Sequence, residues 1–260
     1  MGYPKFILFG DSITQHANEI QGNFALQPAL QDWYIRKLDI LNRGYSGYNS
    51  EHARVILPHI LDAELNAEKN NVKLITIFFG TNDGFVDNNP IQPISLERYR
   101  ENIDYLVSLA IENNIKPIVI GPSLHDPKIC KKVLPHLKPG GEDATSNKRY
   151  YQYSEAAREV CKNRKVAFVD LWDEFRKDGG WTRDQLFQVN GSLENWEVGS
   201  LGHLLSDGVH FTGHAYKIMY DAIKKAIGKH YPEFLPDNLA TNLAVWSDIN
   251  PTDLKNSIFK

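Results

Sequence analysis

A chain of 260 residues, 42% of them hydrophobic and 23% charged, can bury the core of one large α/β domain. Its formal net charge of -3 offers no electrostatic attraction to nucleic acid or to an anionic membrane surface, which leaves a small, uncharged or mildly charged molecule as the expected partner. The opening MGYPKFILFG holds an apolar run too short for a secretory signal, no run approaches the roughly 20 residues that cross a bilayer, and Cys130 and Cys161 form neither a CxxC pair nor a disulfide framework; a cytoplasmic setting with free thiols is expected.

The first strand is expected at KFILFG, an apolar run that stops at Gly10 and passes straight to Asp11, Ser12, Ile13 and Thr14. ALQPALQDWYIRKL (25–38) has helical periodicity, LDILNRG (38–44) reads as a second strand, and SEHARVILPHILDAEL (50–65) as the helix after it. VKLITIFFG (72–80) is a third strand ending on GTND. The helix SLERYRENIDYLVSLAIENN (95–114) follows, with Ser95 as N-cap and an incomplete capping box, since Arg98 stands where Glu is wanted. IKPIVIG (115–121) and VAFVDLW (166–172) are further strands, separated by a helix capped by Ser146, and a last helix opens at Thr212. Strand and helix in alternation imply a doubly wound α/β domain with a parallel sheet, whose site lies beyond the carboxyl ends of the strands.

Residues 122–147 and 178–206 break the alternation and read as flaps beside the ligand or as surface insertions. Beyond a domain spanning 1–230, the extension 231–260 carries Phe234, Leu239, Leu243 and Trp246, too apolar for water. It is expected to pack on the domain, at the pocket mouth or on a neighbouring subunit, which allows a homodimer.

The residues at the strand ends are the ones to weigh for chemistry. Ser12 after Gly10-Asp11 is ordinarily a helix cap, and Asp207 three residues before His210 is ordinarily a capping Asp beside a surface His. Together they have another use, because a carboxylate on one ring nitrogen lets the other take a proton from a hydroxyl. Gly44 and Asn82 follow two other strands, where a backbone N–H and a side-chain amide would serve a developing oxyanion, although each is equally at home in a turn. A metal site at His203, Asp207, His210 and His214 is the weaker rival, without HExxH or a second carboxylate at ligand spacing. The chain has no GxSxG elbow, no GxGxxG after the first strand and no GxxxxGK[ST]. Phe9, Phe24, Trp33, Phe79 and Phe85 are either core or the lining of an apolar pocket.

GDSIT around Ser12, the glycine of NRGYSGY, GTND at 80–83 and DGVH at 207–210 resemble, in order, the blocks of the SGNH (GDSL-type) hydrolases. Within that family the phrases KFILFGDSIT, LDILNRGYSGYNS, TIFFGTNDG and LLSDGVHFTGHAYKI resemble the fungal isoamyl-acetate-hydrolysing esterases. The resemblance implies a three-layer α/β/α sandwich around a five-stranded parallel sheet and a serine esterase acting on acetate or other short-chain esters of small alcohols, with no metal and no cofactor. It assigns Ser12 as nucleophile, His210 as base and acid, Asp207 as its orienting carboxylate, and Ser12, Gly44 and Asn82 as the oxyanion hole. Residues 186–202 look inserted relative to that pattern, which touches the pocket wall rather than the catalytic blocks.

Overall fold

Alternation along each strand decides which helices cover which face of the sheet. In the computed structural model, which describes residues 3–20, 22–66, 71–85, 91–133, 146–188 and 199–259, the strands are β1 (Lys5–Gly10), β2 (Asp39–Gly44), β3 (Val72–Phe78), β4 (Lys116–Ile120) and β5 (Ala167–Val169). They form one parallel sheet in the order β2-β1-β3-β4-β5. The helices are α1 (Ser12–Gln15), α2 (Leu26–Trp33), α3 (Ser50–Asn66), α4 (Thr81–Gly84), α5 (Leu96–Glu112), α6 (Pro127–Val133), α7 (Asn147–Arg164), α8 (Leu171–Asp178), α9 (Arg183–Phe187), α10 (Gly213–His230) and α11 (Leu254–Ile258).

Phe6, Leu8, Leu74, Phe78, Ile118 and Ile120 face α2, α8 and α10, while Ile7, Phe9, Ile75, Ile77 and Val119 face α3, α5 and α7. The sheet is therefore the middle of three layers. With apolar cover on both faces, its strands read as near-continuous hydrophobic runs. The chain leaves β1 for β2 on one side and returns past it to β3 on the other, so the crevice at the carboxyl ends of β1 and β3 is the switch point. Ser95, Ser146 and Thr212 cap α5, α7 and α10 as expected, accepting the N–H of Arg98, Arg149 and Ala215.

Several sequence expectations are corrected. VAFVDLW is strand only to Val169: Asp170 Oδ1 accepts the Asp173 N–H and caps α8, turning Leu171 and Trp172 into a helix whose buried side they share with Phe175. The helix expected over 25–38 stops at Trp33, and Arg36 enters the left-handed region at φ +61° before β2. The irregular stretches contain α6 and α9, the latter with a complete Thr182–Gln185 capping box. Residues 134–145 and 189–198, the second holding most of the expected insertion, lie outside the described residues.

The tail is held mainly through its carbonyl groups. Tyr34 OH donates to Phe234 O, Arg36 to Leu243 O and Ala244 O, and Lys37 to Leu239 O, while Phe234 and Leu239 pack on the core. Trp246 does not pack on the domain; it is 87% exposed. Among the described residues no helix is long and apolar enough to cross a membrane.

Candidate active site

Ser12 stands two residues beyond the end of β1, at the first position of α1. Asp11 makes the turn: its Oδ1 accepts the Ile13 N–H at 2.9 Å and its carbonyl accepts the Gln15 N–H at 2.9 Å. Asn42 Nδ2 donates to the Thr14 carbonyl at 2.8 Å and Tyr216 OH, from α10, to the Ile13 carbonyl at 2.6 Å, so the short helix is clamped from two layers. Ser12 is buried and its Oγ lies 3.0 Å from His210 Nε2.

The loop carrying His210 is a small hairpin closed by the Leu205–Phe211 bridge and by the Ser206 N–H donating to His210 O at 2.8 Å. Within it Asp207 Oδ1 accepts the N–H groups of Val209 (2.9 Å) and His210 (2.8 Å), and Oδ2 meets His210 Nδ1 at 2.6 Å. Burial works against the Asp207 charge, yet the His210 ring and these N–H groups hold its carboxyl well below the usual carboxylate range. For His210 the balance is similar: burial disfavours the imidazolium, but Asp207 outweighs it, with Asp11 and Glu19 adding to it, and the imidazole pKa is raised. The His16 ring meets that of His210 edge to face at 5.5 Å and pairs with Glu19 at 2.6 Å. Burial pushes the Asp11 carboxyl up to about 7, and its Oδ2 has no hydrogen-bond partner among the described residues.

The expected oxyanion donors fare differently. Asn82, in α4 just beyond β3, donates from Nδ2 to the Tyr48 carbonyl at 2.8 Å; an amide nitrogen carries two N–H groups, so this bond orients the second. Asp83 next to it is buried and accepts the Ser50 N–H and hydroxyl, tying the β3 exit to the start of α3. Gly44 is corrected. Its N–H donates to Asn42 Oδ1 at 2.9 Å, and its lack of a side chain serves packing, because a Cβ there would lie 2.5 Å from Gln15 Cα and from the Thr14 carbonyl carbon. Gly47 lies three residues on in NRGYSGYNS. It has φ +78°, and its N–H has no partner among the described residues. Its carbonyl accepts Gln92 Nε2, which lies 3.5 Å from Asn82 Oδ1. Two glycines in one phrase were visible in the sequence; the positive φ that separates them was not.

The GDSL-like lipase/acylhydrolase family profile matches residues 8–218. The chain belongs to this family. It is 36% identical over 255 residues to an isoamyl acetate-hydrolyzing esterase of Saccharomyces cerevisiae, covering 96% of both chains. It is 31% identical over 258 residues to the isoamyl acetate-hydrolyzing esterase 1 homolog of Rattus norvegicus, covering 96% of this chain and 90% of the other. Among solved structures it is similar to a lipase/acylhydrolase from Enterococcus faecalis (TM-score 0.58, 20% identity, 93% of this chain and 100% of the other). An acetylxylan esterase from Geobacillus stearothermophilus is similar at TM-score 0.61 and 17% identity, over 88% of this chain and 96% of the other. This GDSL-family protein is a carboxylic ester hydrolase, similar to the isoamyl acetate esterases.

In this GDSL hydrolase the three histidines of the metal reading part into two groups. His203 Nε2 and His214 Nε2 turn to Asp178, at 3.4 and 3.0 Å, while His210 turns to Asp207. Among the described residues no group of three His, Cys, Asp or Glu side chains is disposed to hold a metal ion. The aromatics weighed as pocket lining are mostly packing. Phe9 and Phe79 are fully buried and meet edge to face at 4.9 Å, Phe85 is buried, and Phe24 and Trp33 lie against Tyr220 on the α10 side.

Proposed function

We propose that this protein hydrolyses acetate and other short-chain esters of small alcohols through an acyl-enzyme on Ser12. His210 Nε2 takes the Ser12 proton as Oγ attacks the acyl carbon, and Asp207 holds the other ring nitrogen and stabilises the imidazolium. The tetrahedral oxyanion is met by the Ser12 N–H at the start of α1, by the second N–H of the Asn82 amide and by the Gly47 N–H, which replaces that of Gly44. His210 returns the proton to the leaving alkoxide. A water deprotonated by the same ring then attacks the acyl group, and the acid departs with Ser12 restored.

The observation that carries this reading is the unbroken contact from Asp207 Oδ2 through the imidazole to Ser12 Oγ, 2.6 and 3.0 Å, which joins Ser12 to His210 across 198 positions of the chain. The substrate class is supported by the yeast relative, which is named as an isoamyl acetate-hydrolyzing esterase. Labelling with a fluorophosphonate probe and peptide mapping, beside a panel of p-nitrophenyl esters of rising acyl length, tests both parts. The expected result is label on the Ser12 peptide, loss of label and turnover in Ser12→Ala, and rates that fall as the acyl chain lengthens. Turnover surviving in Ser12→Ala would overturn the mechanism, and a preference for long acyl chains would overturn the substrate class.

A further inference from the structure

The loop holding Asp207 and His210 is fastened to the body of the protein by a residue that the chemistry above leaves unused. We infer that Asp126, between β4 and α6, is a positioning residue that sets where His210 stands relative to Ser12; this rests on the roles proposed for Ser12, Asp207 and His210.

The loop's own hydrogen bonds fix Asp207 against His210 but say nothing about where the pair stands over α1. That placement needs contacts outside the loop, and Asp126 supplies them while fully buried. Its backbone N–H donates to the Gly208 carbonyl at 2.9 Å. Its Oδ1 accepts the N–H groups of Lys128 and Ile129, both at 3.0 Å, which starts α6, and its Oδ2 accepts the Leu201 N–H at 2.8 Å, which holds the chain leading into the hairpin. One carboxylate thus binds the helix and the approach to the loop at once, and such charge-assisted bonds are the strong ones.

Gly208, between Asp207 and His210, seals the contact. With φ +93°, it admits no side chain: a Cβ would strike the Asp126 carbonyl and lie 2.6 Å from Cys130 N. The loop and the start of α6 meet backbone to backbone, and such a joint transmits position without slack. Behind it, the His125 peptide pairs with the Asn147 side chain, N–H to Oδ1 at 2.8 Å and Nδ2 to carbonyl at 3.1 Å, and Trp172 Nε1 donates to the Asn147 carbonyl at 3.0 Å. A continuous path therefore runs from α7 and α8 through Asp126 to the loop.

An amide at position 126 keeps one acceptor but turns an NH2 toward N–H groups that the carboxylate accepted, so Asp126→Asn sets donor against donor in a buried place. The test is kcat and KM with p-nitrophenyl acetate in Asp126→Asn, with kcat expressed per active site titrated by the fluorophosphonate. Expected is a kcat per titrated site lowered roughly 10- to 100-fold by misplacement of the base, with KM changed by less than about twofold. The acid limb of the pH profile should stay in place, because Asp207 on the loop, Asp11 at the end of β1, and His16 and Glu19 after α1 still face His210. Gly208→Ala presses on the same contact from the other side and should give the same split, which decides the matter should the Asn variant not fold. A wild-type kcat per titrated site, whatever the loss of Tm, would reduce Asp126 to a structural residue and overturn the inference. Turnover in Ser12→Ala would remove its foundation, whereas an inactive Ser12→Ala beside a fully active Asp126→Asn would sink this inference alone.

Discussion

Replacing Gly44 by Ala puts a methyl group where the main chain of α1 already lies. Its Cβ would stand 2.5 Å from Gln15 Cα and from the Thr14 carbonyl carbon, and nearer still to the Gln15 nitrogen, where ordinary contact begins at 3.4 Å. No side chain is free to swing away, so α1 and β2 must part by roughly 1 Å. Overpacking of this kind costs about 1–3 kcal/mol, and a backbone obstacle puts Gly44→Ala at the upper end. For a chain of this size that is a fall in Tm of roughly 6–12 °C. Ser12 rides on α1, so the same displacement should lower kcat by about a hundredfold. The substitution keeps the N–H of residue 44, and a role confined to donating that N–H would leave the rate intact. Calorimetric Tm, with kcat on p-nitrophenyl acetate at a temperature where both proteins are folded, measures the two effects. Unchanged Tm and kcat would refute the seating of α1 on β2.

Asn82→Ala removes an oxyanion donor and should fold yet lose about 3–4 kcal/mol of transition-state stabilisation, roughly a hundred- to thousandfold in kcat; a rate within a few-fold of wild type would remove Asn82 from the oxyanion hole. His210 has to be neutral to accept the Ser12 proton, so kcat/KM should be full at high pH and fall as the pH drops through the imidazole pKa. Asp207 raises that pKa above the ordinary 6.5, which puts the acid limb above 6.5. Asp207→Asn removes the raising, so the limb should move to lower pH while the rate falls by up to about ten thousandfold. A wild-type rate unchanged between about pH 5 and 8 would exclude His210 as the base.

Much of this protein was decided by neighbours in the chain. The apolar runs that make β1 to β4, the caps at Ser95, Ser146 and Thr212, and the Asp207–His210 spacing are local signals, since a cap or a three-residue loop depends on atoms a few bonds away. The positions of Ser12 and Asn82 beyond strand ends were legible because strand ends in an alternating α/β chain must gather at one edge of the sheet. The proposed preference for Gly47 over Gly44 was not legible, because it turns on the register that sets Gly44 beside Gly10 and under α1. Nor was the end of β5, where a cap at Asp170 overrode an apolar run that reads equally well as strand or helix. The aromatics show the same limit: composition marks Phe9 and Phe79 as apolar, but only the packing of layers says that they are core and not pocket. Sequence alone determined which chemical groups the chain owns and at which strand ends they emerge, for those depend on short-range sterics and patterning. The tertiary structure decided which N–H groups are spent, which remain free and what holds the His210 loop in place, because each of those depends on contacts between segments that meet only when the sheet has closed.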